Sequence, residues 1–223
     1  MKKFFKLFGI AATVTIFLFM AIACDNSSSS GGGGSIALPP AGDGSISFAS
    51  VKTYDVYLYS NWNTLYTGSP ITFTRFVDEY ASYISAITDN PEEWEVKIDG
   101  TPRKLYLKLG TPKASVLKNV SSKYPSLTCT SGLKIFESGG FQDGANLIFW
   151  DKRNLEDEVD FLYADRNGTI SGSFYDSYEK LTFLVNMSLK QGWNTVTRTF
   201  NGSTVTNVTG TPDSSFKWIL ESY

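Results

Sequence analysis

The chain contains no histidine, and that absence decides what its remaining reactive residues can do. Ser-His-Asp and Cys-His catalysis, imidazole-based zinc sites and the usual proton carrier near neutral pH are all removed. Serine, lysine, tyrosine and the carboxylates are left. Ser115-Val116-Leu117-Lys118 and Ser131-Gly132-Leu133-Lys134 have the Ser-x-x-Lys spacing, in which a lysine relieves the serine of its proton. The Ser-Asp-Asn and Lys-Thr-Gly segments that complete such a site are missing, so both matches read as chance spacing. Carboxylates gather at Glu92, Glu93 and Glu95, and again at Asp151, Glu156, Asp157, Glu158 and Asp160. A glycan hydrolase needs two of them held roughly 5 to 9.5 Å apart across a sugar, which spacing alone does not supply. The run Glu156 to Glu158 reads as a solvated loop, with calcium held by its hard oxygens as the other reading. Asp165-Arg166-Asn167-Gly168 echoes part of a calcium loop, but Tyr163 and Phe174 stand where that motif wants acids. No cofactor or metal is expected.

Aromatic residues are the other unusual feature. The 16 Phe, 12 Tyr and 5 Trp are too many to be explained by a few surface sites, so most Phe must be core. Tyr54, Tyr57, Tyr59, Trp62 and Tyr66 fall close together with Asn61 and Asn63 among them. On the wet face of a sheet, Tyr57, Tyr59 and Trp62 could stack on sugar rings or anchor a protein partner.

The amino terminus carries a different kind of chemistry. Lys2, Lys3 and Lys6 precede an unbroken apolar run from Leu7 to Ala23, then Cys24, then the polar run Asp25, Asn26, Ser27 to Ser30 and Gly31 to Gly34. A charged start, an apolar stretch and a small residue before the cut describe an export signal. An uncleaved membrane anchor is the alternative reading of the same run. Ala21-Ile22-Ala23-Cys24 resembles the lipobox of bacterial lipoproteins, with Ala21 where that family usually has Leu. The resemblance covers only this leader and the spacer after it. It implies a signal peptide over 1–23 and a lipid-modified Cys24, palmitate included, that opens a flexible Ser/Gly linker over 24–35. It also implies a protein fixed to the membrane by its lipid, on the periplasmic face or the cell surface of the envelope. Each buried methylene adds about 0.8 kcal/mol to such anchoring, and the Ser/Gly run acts as a leash.

Residues 36–223 hold one β-rich domain, long enough to bury roughly 70% of its unfolded surface. A net charge of -2 leaves no basic stripe for phosphates, which argues against nucleic acid. Cys129 has no mate once Cys24 is modified, and reads as a small hydrophobe in the run Leu127-Thr128-Cys129.

The elements that must position these groups are mostly strands. Tyr54, Val56 and Leu58 alternate with Asp55, Tyr57 and Tyr59; Trp94, Val96 and Ile98 with Glu93, Glu95, Lys97 and Asp99; Leu105, Leu107 and Leu109 with Lys104, Tyr106 and Lys108. One apolar and one wetter face per run is what antiparallel sheets covered on one side require. Asn167-Gly168 and Asn201-Gly202 are expected to close type I′ hairpins. From Phe73 to Ile87 the apolar spacing is that of an amphipathic helix packed on the sheet, ended by Asn90-Pro91. Trp193, after Gln191-Gly192, reads as a packing residue. The expected fold is mainly β, an antiparallel sandwich or open barrel with one packed helix. The expected role is non-catalytic, binding or structural, with recognition of a protein or glycan through exposed Tyr and Trp. A carboxylate-dependent glycan hydrolase, or a small-ligand carrier with a large apolar cavity, are the alternatives.

Overall fold

A computed structural model describes residues 38–60, 64–65, 84–100, 104–137, 145–151 and 157–222. From Ser35 onward the chain forms one compact unit, distinct from Met1–Gly34. It is mainly β: an open, curled sheet in the manner of a half-barrel, with a second small sheet packed against it. Among the described residues no helix is long and apolar enough to cross a membrane.

The small sheet is built from β1 (Lys52–Ser60), β3 (Glu95–Asp99) and β4 (Lys104–Lys108). Its alternation is the one the sequence foretells. Leu105 and Leu107 are fully buried while Lys104, Tyr106 and Lys108 face outward. The second half of β1 joins the large sheet by pairing in parallel with β14 (Phe216–Ser222) and antiparallel with the two-residue β2 (Thr64–Leu65). From β14 the order continues through β8 (Ala145–Asp151), β9 (Glu158–Ala164), β12 (Gly192–Asn201), β13 (Thr204–Thr209), β11 (Leu181–Leu189), β10 (Gly168–Asp176) and β6 (Thr128–Cys129). The short β7 (Lys134–Glu137) pairs with β9 and with β5 (Lys118–Asn119).

Because β9 and β12 lie mid-sheet, their alternate side chains serve two cores. One face presents Phe161, Tyr163 and Trp193 to an aromatic core shared with the small sheet. Trp193 sits among Phe48, Trp94, Phe136 and Tyr163, ring centres 5.5 to 6.5 Å away and nearly perpendicular, the edge-to-face geometry that ring quadrupoles favour. Its Nε1–H donates to the carbonyl of Gly110 at 2.9 Å. The other face presents Leu162, Ala164 and Val196 to an aliphatic core inside the curl, completed by Ile135, Ile170, Val185, Met187 and Leu189. Cys129 packs on this core from β6, half-buried. The segment before β1 is part of the sheet as well. Gly44 accepts from the Thr195 N–H and Ile46 donates to the Trp193 carbonyl, continuing along β12 beyond the end of β13. A Cβ on Gly44 would lie 2.6 Å from the Thr195 carbonyl oxygen, so only glycine allows this approach. Phe48 then enters the aromatic core.

Three local expectations change. Asn167-Gly168 turns the chain but closes no hairpin, because β9 pairs with β12, β8 and β7 while β10 pairs with β11 and β6. Asn167 instead accepts the Gln191 N–H at 2.8 Å, tying two loops together. Asn201-Gly202 does lie in the β12–β13 hairpin, but Asn201 pairs with Thr204 and the loop is Gly202-Ser203. Only Gly202 there has positive φ, 62°, whereas type I′ needs it at both central residues. The acidic run is not a solvated loop throughout: Asp157 is buried and accepts the Phe200 N–H, and Glu158 opens β9. Of the expected helix, residues 84–87 are helical and bury Ile84 and Ile87 in the aromatic core; Phe73 to Tyr83 lie outside the described residues.

Candidate functional site

Strand register brings together groups that are far apart in sequence. On the inner face of the curl, Glu158, Arg198, Asn207, Val185 and Gly172 form one continuous cross-strand row over β9, β12, β13, β11 and β10. The Arg198 guanidinium pairs with Glu158, forms a second ion pair with Asp160 at 2.9 Å and donates to Asn207 Oδ1 at 3.1 Å. Burial works against its charge, yet Asp160 and Glu158 outweigh that and hold it firmly protonated. Burial also raises Glu158 above the ordinary carboxyl value; Arg198 pulls the other way and Asp160 adds to the rise. The side chains of Arg198 and Asp160 keep about a third of their exposure, 35% and 32%, so the row lies at the open mouth of the curl. Across it, the Tyr124 hydroxyl donates to Glu137 at 2.8 Å and Lys123 pairs with the same carboxylate. Tyr124 belongs to the turn that follows the helical residues Val120–Lys123, and its ring packs near Phe174. Burial, then the Glu137 charge, raise its phenol far above the usual value, so it stays a donor.

The outer face of the same strands has the opposite chemistry. Tyr175, Thr182, Thr204 and Asn201 form one cross-strand row over β10, β11, β13 and β12. Ser173, Leu184, Thr206 and Thr199 form the next. A third row is Ser171, Asn186, Val208 and Thr197. All twelve positions are partly or fully exposed, and none is Asp, Glu, Lys or Arg. Strand spacing and rise give a patch roughly 14 Å on a side. One corner is crossed by the amino-terminal segment, where Asn186 donates to the Pro39 carbonyl at 3.0 Å. Elsewhere, among the described residues, no hydrogen bond engages the hydroxyls of Thr182, Thr197, Thr199, Thr204 or Thr206. The β10–β11 hairpin at the rim carries Tyr175, 62% exposed, and Tyr178, 72% exposed.

Of the residues singled out from sequence, Tyr57 is half-buried in β1. Tyr59 belongs to the same strand, with its side chain outside the described residues, as is Trp62; Cys24 lies outside them too. No described hydrogen bond joins Ser115 to Lys118 or Ser131 to Lys134. Asp165 spends its oxygens on the Lys134 N–H and on Arg166, leaving a calcium loop no free ligand there. Among the described residues no group of three potential metal ligands converges. Asp151 ends β8 and Glu156 lies outside the described residues. What the sequence reading passed over is Arg198 as the partner of Glu158 and Asp160, Tyr175 with Tyr178, and the hydroxyl-bearing outer rows. The alternation Thr195-Val196-Thr197-Arg198-Thr199 and Thr204-Val205-Thr206 signals those rows, once it is known that one face is open.

Compared with known proteins, the chain matches no family model, no curated protein and no solved structure.

Proposed function

We propose that the chain is a lipid-anchored protein of the bacterial envelope, held by Cys24, whose domain from Ile36 onward binds a protein or glycan without catalysis. The observation that carries the binding role is the pair Tyr175 and Tyr178, both exposed and three residues apart on one hairpin. Exposed aromatic side chains on rigid elements supply contact area at small entropic cost. Tyr57, Tyr59 and Trp62 remain part of this reading as a second aromatic cluster on and after β1.

The alternatives find less support. Glu158 and Asp160 share one guanidinium and Glu137 is taken by Lys123 and Tyr124, whereas hydrolysis needs a free carboxylic acid facing a second carboxylate across the sugar. A carrier needs room inside, and the inner face of the curl is filled by its own aliphatic side chains.

The test uses the full-length protein and isolated envelope fractions. Tyr175→Ala with Tyr178→Ala should cut retention at least tenfold relative to the parent, and Tyr57→Ala, Tyr59→Ala, Trp62→Ala measures the share of the other cluster. Retention unchanged in both sets overturns the binding role. For the anchor, labelled palmitate should enter the parent and not Cys24→Ser; equal labelling of the two overturns it.

A further inference from the structure

We infer that the outer face of β10, β11, β13 and β12 is a binding surface for an uncharged glycan chain. This deepens the binding role proposed above and rests on it.

The argument starts from what the face lacks. Across three rows and four strands there is no ionisable carboxylate, amine or guanidinium, whereas Arg198 on the opposite face of β12 is ion-paired with Glu158 and Asp160 of the neighbouring β9. A nucleic acid, an anionic lipid surface or an acidic peptide would be met by Lys and Arg, and a basic partner by carboxylates. An uncharged ligand needs neither. The face is also poor in apolar side chains, with Leu184 and Val208 as its aliphatic members, so it lacks the hydrophobic centre of a protein interface. What it offers is an array of hydroxyl and amide groups, each able both to donate and to accept. A sugar chain presents the same dual-capacity groups at short, regular intervals on a stiff backbone. Thr199 directly opposes Thr206, and Thr204 opposes Thr182, so hydroxyls recur across neighbouring strands about 4.8 Å apart. β-branched threonine holds its hydroxyl in few orientations, which lowers the entropy lost on binding. Leu184 and Val208 sit among these hydroxyls, where the C–H face of a pyranose can rest, and Tyr175 closes the rim with a ring that can stack on a terminal sugar.

The experiment takes the full-length protein in detergent micelles and titrates cellohexaose, chitohexaose and maltohexaose, with heparin as the anionic comparator. At least one neutral hexasaccharide should bind, with affinity nearly independent of salt between low and physiological ionic strength, and heparin should not. Thr199→Glu and Thr206→Glu, each placing a charge in the middle row without touching the core, should weaken binding at least tenfold. Thr206→Ser should retain it, and Tyr175→Phe should keep what Tyr175→Ala loses. Circular dichroism melts matching the parent show that the variants are folded. The inference is overturned if none of the three neutral sugars binds, if heparin binds as well as they do, or if the glutamate variants bind unchanged. Should envelope retention still fall with Tyr175→Ala and Tyr178→Ala while no neutral sugar binds, the binding role stands and the glycan assignment alone is lost.

Discussion

The inner and outer faces of β12 differ as much as two proteins might, although they alternate residue by residue. Val196 and Arg198 point into the curl, one 5% exposed and the other ion-paired; Thr197 and Thr199, between and beyond them, open to solvent without charge. Inside, Glu158 and Asp160 are paired through Arg198 and Glu137 through Lys123. Outside, hydroxyls stand open. The contrast is one of chemistry: the ionic groups pair across strands and beside the Tyr124 turn at the mouth of the curl, and the neutral face carries hydroxyls without such pairing.

The largest test of this division is inside. Ile170 is fully buried in the curl, and Ile170→Ala should lower stability by about 2–5 kcal/mol by leaving a cavity, measured by urea unfolding. Next comes the cation. Arg198→Met leaves Glu158 and Asp160 facing one another; breaking a fully buried pair costs about 3–5 kcal/mol. With the Arg198 side chain 35% exposed, about 2 kcal/mol is the expectation at neutral pH. An unfolding midpoint equal to the parent's would show that the row does not hold the mouth.

A smaller effect follows from pH. Burial raises Glu158 and Glu179 above their ordinary value of 4.5, so between that value and their folded ones the native state binds more protons than the unfolded chain. Stability should therefore rise as pH falls through that window, and this gain is absent at higher pH. Asp165 acts the opposite way. Against the cost of burial, the Arg166 guanidinium and the Lys134 N–H hold it below 3.8, and its contribution is lost as pH falls through the lower folded value. From these three groups, urea midpoints should be highest between the ordinary values 4.5 and 3.8, where the gain from Glu158 and Glu179 is complete and the contribution of Asp165 is still present; a steady decline from neutral pH downward would contradict the assignment. Smallest of all, Thr199→Ala and Thr206→Ala on the outer face should change stability by less than about 0.5 kcal/mol. A loss of several times that would mean these hydroxyls serve the fold, and the comparison between faces would fail.

The parts of this structure that are local in sequence were legible there. Period-two burial at Val96, Ile98, Leu105 and Leu107 follows from pleat geometry alone, as does the packing role of Trp193 behind its turn. The β9–β10 neighbourhood was not legible, because Asn167-Gly168 specifies a reversal of the chain and not which strands end side by side. Here the β12–β13 hairpin inserts between β9 and β11, and β11 runs parallel to β13. The Arg198 row joins positions as far apart as Gly172, Glu158 and Asn207 through register on five strands, which no spacing encodes. The outer face was half legible: the Thr-x-Thr alternation announces strands, but which side is left open depends on where the small sheet packs.

One feature of the amino-terminal segment bears on mechanics. Gly42 to Ile46 are stitched to Thr209, Thr195 and Trp193 by main-chain hydrogen bonds, and Phe48 is lodged between Phe161 and Trp193. Force applied along this segment's own direction would be shared by its hydrogen bonds in shear, instead of peeling them one at a time.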